Sequence, residues 1–117
     1  MGLGLGMAAS AGSAMAADAD AGAKVFKKCA ICHSLEAGKK KVGPSLAGIF
    51  GRTAGTMEGF RYSASMKDSG IVWNEDTIAA YLKDPRGYIP KNKMAFAGLK
   101  KDKDVENIIA YLKSATQ

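Results

Sequence analysis

The residues best suited to chemistry lie in one five-residue segment of this chain, Cys29-Ala30-Ile31-Cys32-His33. The segment contains both cysteines and the single histidine of the 117-residue sequence. Two thiols and an imidazole at this spacing can form a redox-active thiol pair, hold zinc with a fourth ligand, close a small disulfide loop or attach haem covalently. The rest of the chain decides among these four interpretations.

Covalent haem attachment is the interpretation that uses all three side chains. A thioredoxin-type pair needs a β-α-β setting, which the sequence lacks, and a structural zinc site needs four ligands where the chain has three Cys and His side chains. A disulfide closing so short a loop would stabilise the fold little. In haem attachment, each thiol adds to one vinyl group and His33 reaches the iron from one face. The sequence therefore predicts one haem c, bound through Cys29 and Cys32, with the disulfide and the zinc site as alternatives.

A haem iron held by His33 has a second axial position, and the chain has no other histidine to fill it. Methionine, lysine, tyrosine or water remain as candidates. Three methionines lie downstream, Met57, Met66 and Met94. Met94 precedes a segment rich in small residues, 95–98, where the backbone could approach a cofactor closely. Any one of these methionines could instead fill a gap in the core.

Periodic apolar residues predict an all-α fold with three main helices. Asp18 and Asp20 precede a first helix that runs into the cysteine motif, and Asn74 caps a second helix that ends before Pro85. The strongest pattern is the last one, with apolar residues at 105, 108, 109 and 112. The intervening segments are predicted to be long loops with a helical turn over 45–51 and a short helix near 63–69. Loops of this length need an organiser, and a large buried cofactor would supply one.

The N-terminal segment, residues 1–16, carries no charged side chain and ends in Ala14-Met15-Ala16. This pattern is typical of a cleaved secretory signal peptide, although a truncated one, because no Lys or Arg precedes the apolar stretch. The alternative is a plain Ala/Gly leader. We therefore expect a signal peptide over 1–16, one domain over 17–117 and a periplasmic location.

The charge of the chain indicates an acidic partner. Seventeen Lys and Arg against eleven Asp and Glu give a net charge of +6, all of it outside the leader. Nucleic acid, an anionic membrane surface and an acidic protein face would each fit this charge, and composition alone does not choose among them.

Several segments, in matching order, resemble class I cytochrome c, the family of the mitochondrial protein and of soluble bacterial cytochromes of the same group. They are CAICH, VGPSLAGIFGR, GFRYS, Trp73 with the block AAYLKDPRGYIPKNKMAFAG, and the closing ENIIAYLK. The resemblance covers about residues 20–115. It implies the class I fold, with three main helices plus short helices and loops wrapped round one haem. It also implies a one-electron carrier between respiratory or photosynthetic complexes, rather than an enzyme.

The resemblance implies a role for individual residues around the haem. His33 would be the proximal iron ligand, with its second ring nitrogen donating to the Pro44 carbonyl, and Met94 would be the distal ligand. Tyr81 would donate a hydrogen bond to the Met94 sulfur. The residues expected to surround the propionates are Arg52, Tyr62, Trp73 and Asn92.

Two residues, Asn92 and Met66, depart from the family pattern. Asn92 replaces a hydroxyl residue beside the propionates, so that it would still donate but with altered geometry. Met66 stands where relatives often have asparagine, and its thioether is a competing, less favoured iron ligand.

By family position, basic residues should ring the exposed haem edge: Lys28, Lys41, Arg86, Lys93, Lys100 and Lys101. Such a patch would dock a monomer onto acidic faces of redox partners, not onto nucleic acid. A cytochrome bc complex, a terminal oxidase, a photosynthetic reaction centre and a periplasmic dehydrogenase are the candidate partners. The competing class is a haem enzyme or gas-binding protein with an open distal position, which would bind carbon monoxide.

Overall fold

The computed structural model describes residues 17–117, and these residues form five helices and no β-strand. The helices are α1 (Ala19–Ala30), α2 (Ala64–Lys67), α3 (Glu75–Lys83), α4 (Pro85–Tyr88) and α5 (Asp102–Ala115). An isolated antiparallel bridge joins Thr53 to Val72. The predicted all-α class is confirmed, whereas the predicted signal peptide lies outside the described residues. Over 17–117, every helix is too short or too polar to cross a bilayer.

The helices α1 and α3 begin at the capping residues that the sequence predicts. The Asp18 carboxylate accepts hydrogen bonds from the N–H groups of Asp20 and Ala21 at 2.9 and 3.2 Å, which satisfies two otherwise unpaired donors of α1. At α3, Asn74 Oδ1 accepts from Thr77 N at 2.9 Å while Thr77 Oγ1 accepts from Asn74 N at 2.8 Å. This reciprocal arrangement is a capping box, and it fixes where α3 begins.

The first and last helices cross at a point where no side chain fits. A Cβ placed on Gly22 would lie 2.0 Å from the Asn107 carbonyl oxygen. The crossing is fastened by a hydrogen bond from Asp18 N to Asn107 Oδ1 at 2.8 Å. Below it, the Phe26 and Tyr111 rings pack with centroids 5.4 Å apart. The apolar faces of α1 and α5 thus bury one side of the core against each other.

Two local predictions differ from the structure. Residues 45–51 form consecutive turns rather than a helical turn, because Gly48 and Gly51 adopt left-handed φ values of 68° and 91°. The chain also resumes a helix directly after α3, since Pro85 suits a first helical position and Asp84 Oδ1 accepts from Gly87 N at 3.1 Å. The short helix predicted near 63–69 is present as α2.

The segment that carries Met94 is fastened against α3 at its far end. Leu99 N donates to Leu82 O at 2.8 Å. Gly98 lies so close that a Cβ there would approach Lys83 O to 2.4 Å, and its φ of 114° suits glycine alone. Residues 93–98 therefore follow a fixed path across one side of the structure, although they contain no helix.

Candidate functional site

A mostly apolar crevice opens between the end of α1, α3, α5 and the Met94 segment. It encloses about 1080 Å³ of empty space, a figure that includes its open mouth. Both cysteines, His33 and Met94 line it. Its apolar wall includes Phe26, Leu46, Ile49, Ile78, Leu82, Ile108 and Leu112. The structure thus brings the four predicted attachment and ligand residues to one cavity, large enough for a flat macrocycle.

The end of α1 presents the two thiols and the imidazole together. The backbone N–H groups of Cys32 and His33 both donate to Cys29 O, at 3.0 and 2.8 Å, which folds the motif into a tight turn. Lys41 Nζ donates to Ala30 O at 2.6 Å and so caps the helix C-terminus with a cation. Both cysteines are unpaired thiols. Burial raises the pKa of Cys29, and Cys32 adds a smaller contribution in the same direction, whereas Lys28 lowers it. The net rise in pKa keeps the Cys29 thiol protonated.

His33 makes one side-chain hydrogen bond to the described residues, through one of its two ring nitrogens. Its Nδ1 lies 2.7 Å from the Pro44 carbonyl oxygen, and because a carbonyl can only accept, Nδ1 carries the proton. Burial lowers the pKa of His33, although the bond to Pro44 opposes this effect, so the ring is neutral. A neutral ring protonated at Nδ1 leaves the Nε2 lone pair free, which is the form that binds a metal.

Gly43 provides the space in which the His33 ring lies. A Cβ on this residue would come within 2.6 Å of His33 Cε1. We predict that Gly43→Ala displaces the ring from the Pro44 carbonyl and destabilises the holo-protein by about 1–3 kcal/mol, as overpacking commonly does. Urea unfolding followed by haem absorption measures the effect. The adjacent exposed Val42→Ala is the matched control and should stay within about 0.5 kcal/mol. Equal stability of the two variants would contradict the packing role of Gly43.

Met94 lies across the same crevice and is contacted by a buried phenol. Tyr81 Oη donates to Met94 Sδ over 3.8 Å. Burial raises the pKa of Tyr81 to about 12, so the phenol remains a donor throughout the neutral range. Met66 also lines the crevice, but its main-chain N–H bonds to Ser63 Oγ and no described hydrogen-bond donor contacts its sulfur.

Three of the four residues expected to surround the propionates also line the crevice: Arg52, Tyr62 and Trp73. Arg52 donates from Nη1 to Ser45 O at 3.1 Å and from Nη2 to Ala47 O, which leaves three of its five N–H groups for another acceptor. The Tyr62 oxygen accepts from Met57 N at 3.3 Å, and its own O–H has no acceptor among residues 17–117. Trp73 Nε1 likewise donates to no described atom, although the indole is 7 % exposed.

Asn92 differs from the expectation. Its carboxamide does not line the crevice but bonds to three main-chain atoms. Nδ2 donates to Pro85 O at 2.9 Å and to Ile89 O at 2.8 Å, and Oδ1 accepts from Met94 N at 2.8 Å. Both N–H groups are therefore engaged, and neither is free for a propionate.

A second cavity adjoins the crevice and shares His33 and Met94 with it, and we call the basic region around the two cavities the mouth. Its cations are only partly those predicted. Lys28 lines the crevice and Lys41 and Lys93 line the second cavity, whereas Arg86, Lys100 and Lys101 line neither. Lys40 and Arg61 line the second cavity as well, and no sequence pattern predicts this, because only the fold brings them there. Lys40 Nζ donates to Gly59 O at 2.9 Å and Lys93 Nζ to Arg61 O at 3.1 Å. None of the mouth cations forms an ion pair with a described carboxylate.

The described residues favour haem over the alternatives left open by the sequence. The donor set consists of two free thiols, an imidazole with its Nε2 lone pair available and a thioether, in an apolar cavity. Over residues 17–117, no three Cys, His, Asp or Glu side chains gather as a metal site would require, so a structural zinc ion would lack ligands. Fold and site together define a small all-α protein whose crevice fits a covalently bound haem.

Comparison with known proteins agrees with this class. The cytochrome c family model matches residues 19–116. The chain is 58 % identical over 89 residues to cytochrome c2 iso-2 of Magnetospirillum fulvum, covering 76 % of this chain and 93 % of that protein. It is 51 % identical over 98 residues to cytochrome c of Gibberella zeae, covering 82 % and 92 %. With cytochrome c2 of Blastochloris viridis the identity is 52 % over 93 residues, covering 79 % and 73 %.

The chain belongs to the cytochrome c family. It is an electron-transfer protein and not an enzyme, and it binds haem c through Cys29 and Cys32. Its partners are therefore other redox proteins. The predicted family, fold class, function and cofactor are thus confirmed.

Proposed function

We propose that this electron carrier holds its iron between His33 Nε2 and Met94 Sδ. The observation that carries the proposal is the single crevice lined by Cys29, Cys32, His33 and Met94. Bound haem c supplies a one-electron ferric/ferrous couple. His33 is oriented by Pro44, and Met94 is contacted by Tyr81, so both donors are held before and after electron transfer.

The polar groups inside the crevice have a separate task in this proposal. Arg52, Tyr62 and Trp73 each retain an N–H or O–H group without a described acceptor, and each lines the cavity. Donors of this kind offset the cost of burying the negatively charged haem propionates. The apolar remainder of the wall excludes water, which disfavours the additional charge of ferric iron.

The absorption spectra of the ferric and ferrous protein test the ligation directly. We expect a c-type pyridine haemochrome together with the weak far-red ferric band of an iron–methionine bond. Carbon monoxide should not bind the native ferrous protein, because both axial positions are filled. A c-type haemochrome without the far-red band, and with carbon monoxide binding, would contradict the ligation and favour an open distal position.

We further propose that the basic mouth docks onto acidic faces of partner proteins, such as a cytochrome bc complex, a terminal oxidase, a reaction centre or a periplasmic dehydrogenase. Lys28, Lys40, Lys41, Lys93 and Arg61 border the opening through which an electron would pass. Their charges are not neutralised by described ion pairs, so they would attract an acidic surface over about a Debye length. Arg86, Lys100 and Lys101 would extend this field from outside the mouth.

Electron transfer to an acidic partner should therefore slow steeply as ionic strength rises. We predict that Lys28→Glu lowers the second-order rate constant at low salt by about 3–10-fold, because it reverses one steering charge at the mouth. Stopped-flow measurement against a purified acidic redox protein gives this rate. Lys103→Glu changes the net charge equally, but its side chain does not line the crevice, so it should have a smaller effect. Equal effects of the two variants, or a salt-independent rate, would contradict docking at the mouth.

We also propose export to the periplasm, which the Ala14-Met15-Ala16 pattern supports. Expression in a bacterium with haem-attachment machinery, followed by mass determination of the mature protein, tests it. Cleavage near residue 16 is expected, and a periplasmic fraction without the protein would contradict the proposal.

A further inference from the structure

We propose that Asn92 is a positioning residue for the distal ligand, an inference that rests on the assignment of Met94 to the iron. Its carboxamide joins the main chain at Met94 to the helix α4. Oδ1 accepts from Met94 N at 2.8 Å, while Nδ2 donates to Pro85 O at 2.9 Å and to Ile89 O at 2.8 Å. One side chain thus connects three points of the chain, and we call this arrangement the Asn92 clamp.

The clamp is attached to a fixed part of the structure. Pro85 and Ile89 are both essentially inaccessible to solvent, and Ile89 belongs to the hydrophobic core. The Asp84 carboxylate caps α4 by accepting from Gly87 N at 3.1 Å. Because α4 is anchored in this way, a bond from Asn92 to Met94 N limits the movement of the ligand's backbone relative to the core.

A strained residue lies beside the clamp. Lys91 has a φ of 60°, the one positive φ outside glycine over residues 17–117. A side chain disfavours this left-handed conformation, and such a conformation persists only where surrounding contacts hold it. Ile89 O, on one side of Lys91, and Met94 N, on the other, are both bonded to Asn92. The same turn is also closed by the main-chain bond from Asn92 N to Ile89 O at 3.3 Å. Without the clamp this bond alone holds the turn, and we infer that the backbone of Met94 moves more freely.

The clamp should therefore control how readily Met94 leaves the iron. In the intact protein, the backbone of Met94 can move away from the iron only if the hydrogen bond from Met94 N to Asn92 Oδ1 breaks. When the clamp is removed, this cost is absent, so displacement becomes easier. The same bonds leave no N–H group of Asn92 for a propionate, since Nδ2 donates to Pro85 O in α4 and to Ile89 O directly after it.

Imidazole titration of the ferric holo-protein tests this role, with the far-red band reporting the loss of Met94. We expect Asn92→Ala to bind imidazole about tenfold more tightly than the unmodified protein. The methionine-bound state of this variant lacks about one net hydrogen bond, and a bond of this strength corresponds to about tenfold in affinity. Asn92→Asp should bind imidazole at least as tightly as Asn92→Ala. Its second carboxylate oxygen would replace Nδ2 and would face the acceptors Pro85 O and Ile89 O without a proton to donate. Should Asn92→Ala fail to yield holo-protein, Asn92→Ser provides the test, with an increase of about threefold, since a hydroxyl can still accept from Met94 N.

Asn74→Ala is the matched control. Like Asn92, Asn74 accepts a hydrogen bond from a main-chain N–H group through Oδ1, in this case from Thr77 N at 2.9 Å. It lies away from Met94, at the start of α3, and does not line the crevice. Its removal should lower stability in urea without changing imidazole affinity. Equal gains in affinity for the Asn92 and Asn74 variants would overturn the positioning role, as would unchanged affinity in Asn92→Ala with its far-red band intact. A native protein without the far-red band would instead overturn the Met94 ligation itself.

Discussion

Met94→Ala should abolish the far-red ferric band, allow carbon monoxide to bind the ferrous iron and lower the reduction potential by about 0.1–0.3 V, within the ~0.8 V that axial ligands span. The physical reason is that a neutral, soft thioether favours ferrous iron, whereas water or hydroxide at the vacated position favours ferric iron. We propose this role for Met94 because it lies in the crevice and Tyr81 Oη approaches its sulfur to 3.8 Å. Absorption spectroscopy, carbon monoxide titration and potentiometry measure the three effects.

Met66→Ala is the comparison that makes this prediction specific. Met66 lines the same crevice and is the other methionine considered as a ligand, but Tyr81 does not contact it through a hydrogen bond. We expect the far-red band to persist in Met66→Ala. A band that survives in Met94→Ala and disappears in Met66→Ala would reassign the distal ligand.

Gly22→Ala should destabilise the holo-protein by about 1–3 kcal/mol or more, as overpacked sites do. The new methyl carbon would lie 2.0 Å from Asn107 O and 2.6 Å from Asn107 C, both of them backbone atoms of α5 that cannot rotate away. The two helices would have to separate, which would weaken the hydrogen bond from Asp18 N to Asn107 Oδ1. The unfolding free energy in guanidinium chloride measures the loss.

The sign of this change is informative in itself. Helix propensity alone predicts that alanine in place of glycine stabilises a helix by about 1 kcal/mol. A net loss therefore reports the close approach of the two helices, whereas a net gain would refute it. The exposed Lys24→Ala on the same helix controls for general effects and should change stability by no more than about 0.5 kcal/mol.

The parts of the fold that sequence patterns predict are those determined by local chemistry. The side chains of Asp18, Ser63 and Asn74 cap α1, α2 and α3, so the starts of these three helices depend on a few neighbouring residues. Segment 45–51 was not predictable in the same way, since its apolar residues suit a helical turn while left-handed Gly48 and Gly51 turn the chain elsewhere. The helix α4 was missed because four residues with a central glycine carry no periodic signal.

The same distinction holds at the site. The cysteine motif is local, and its meaning follows from its spacing. The partners of Asn92 depend on the unusual φ of Lys91 and on the position of α4, neither of which the sequence pattern specifies. Lys40 and Arg61 lie at the mouth because of the path that long loops take in the folded chain. In the sequence, nothing distinguishes them from other exposed basic residues.

The crossing of α1 and α5 places a constraint on the order of events during biosynthesis. Asp18 and Asn107 are 89 positions apart, so α1 leaves the ribosome well before the helix that will cover it. Until α5 arrives, the apolar face around Phe26 has no partner, and a lone helix of this length is marginal in water. As long as α1 and α5 have not packed together, the cysteine motif at the end of α1 is accessible to attachment enzymes. We therefore expect haem attachment to precede the packing of the last helix, which would then close the crevice.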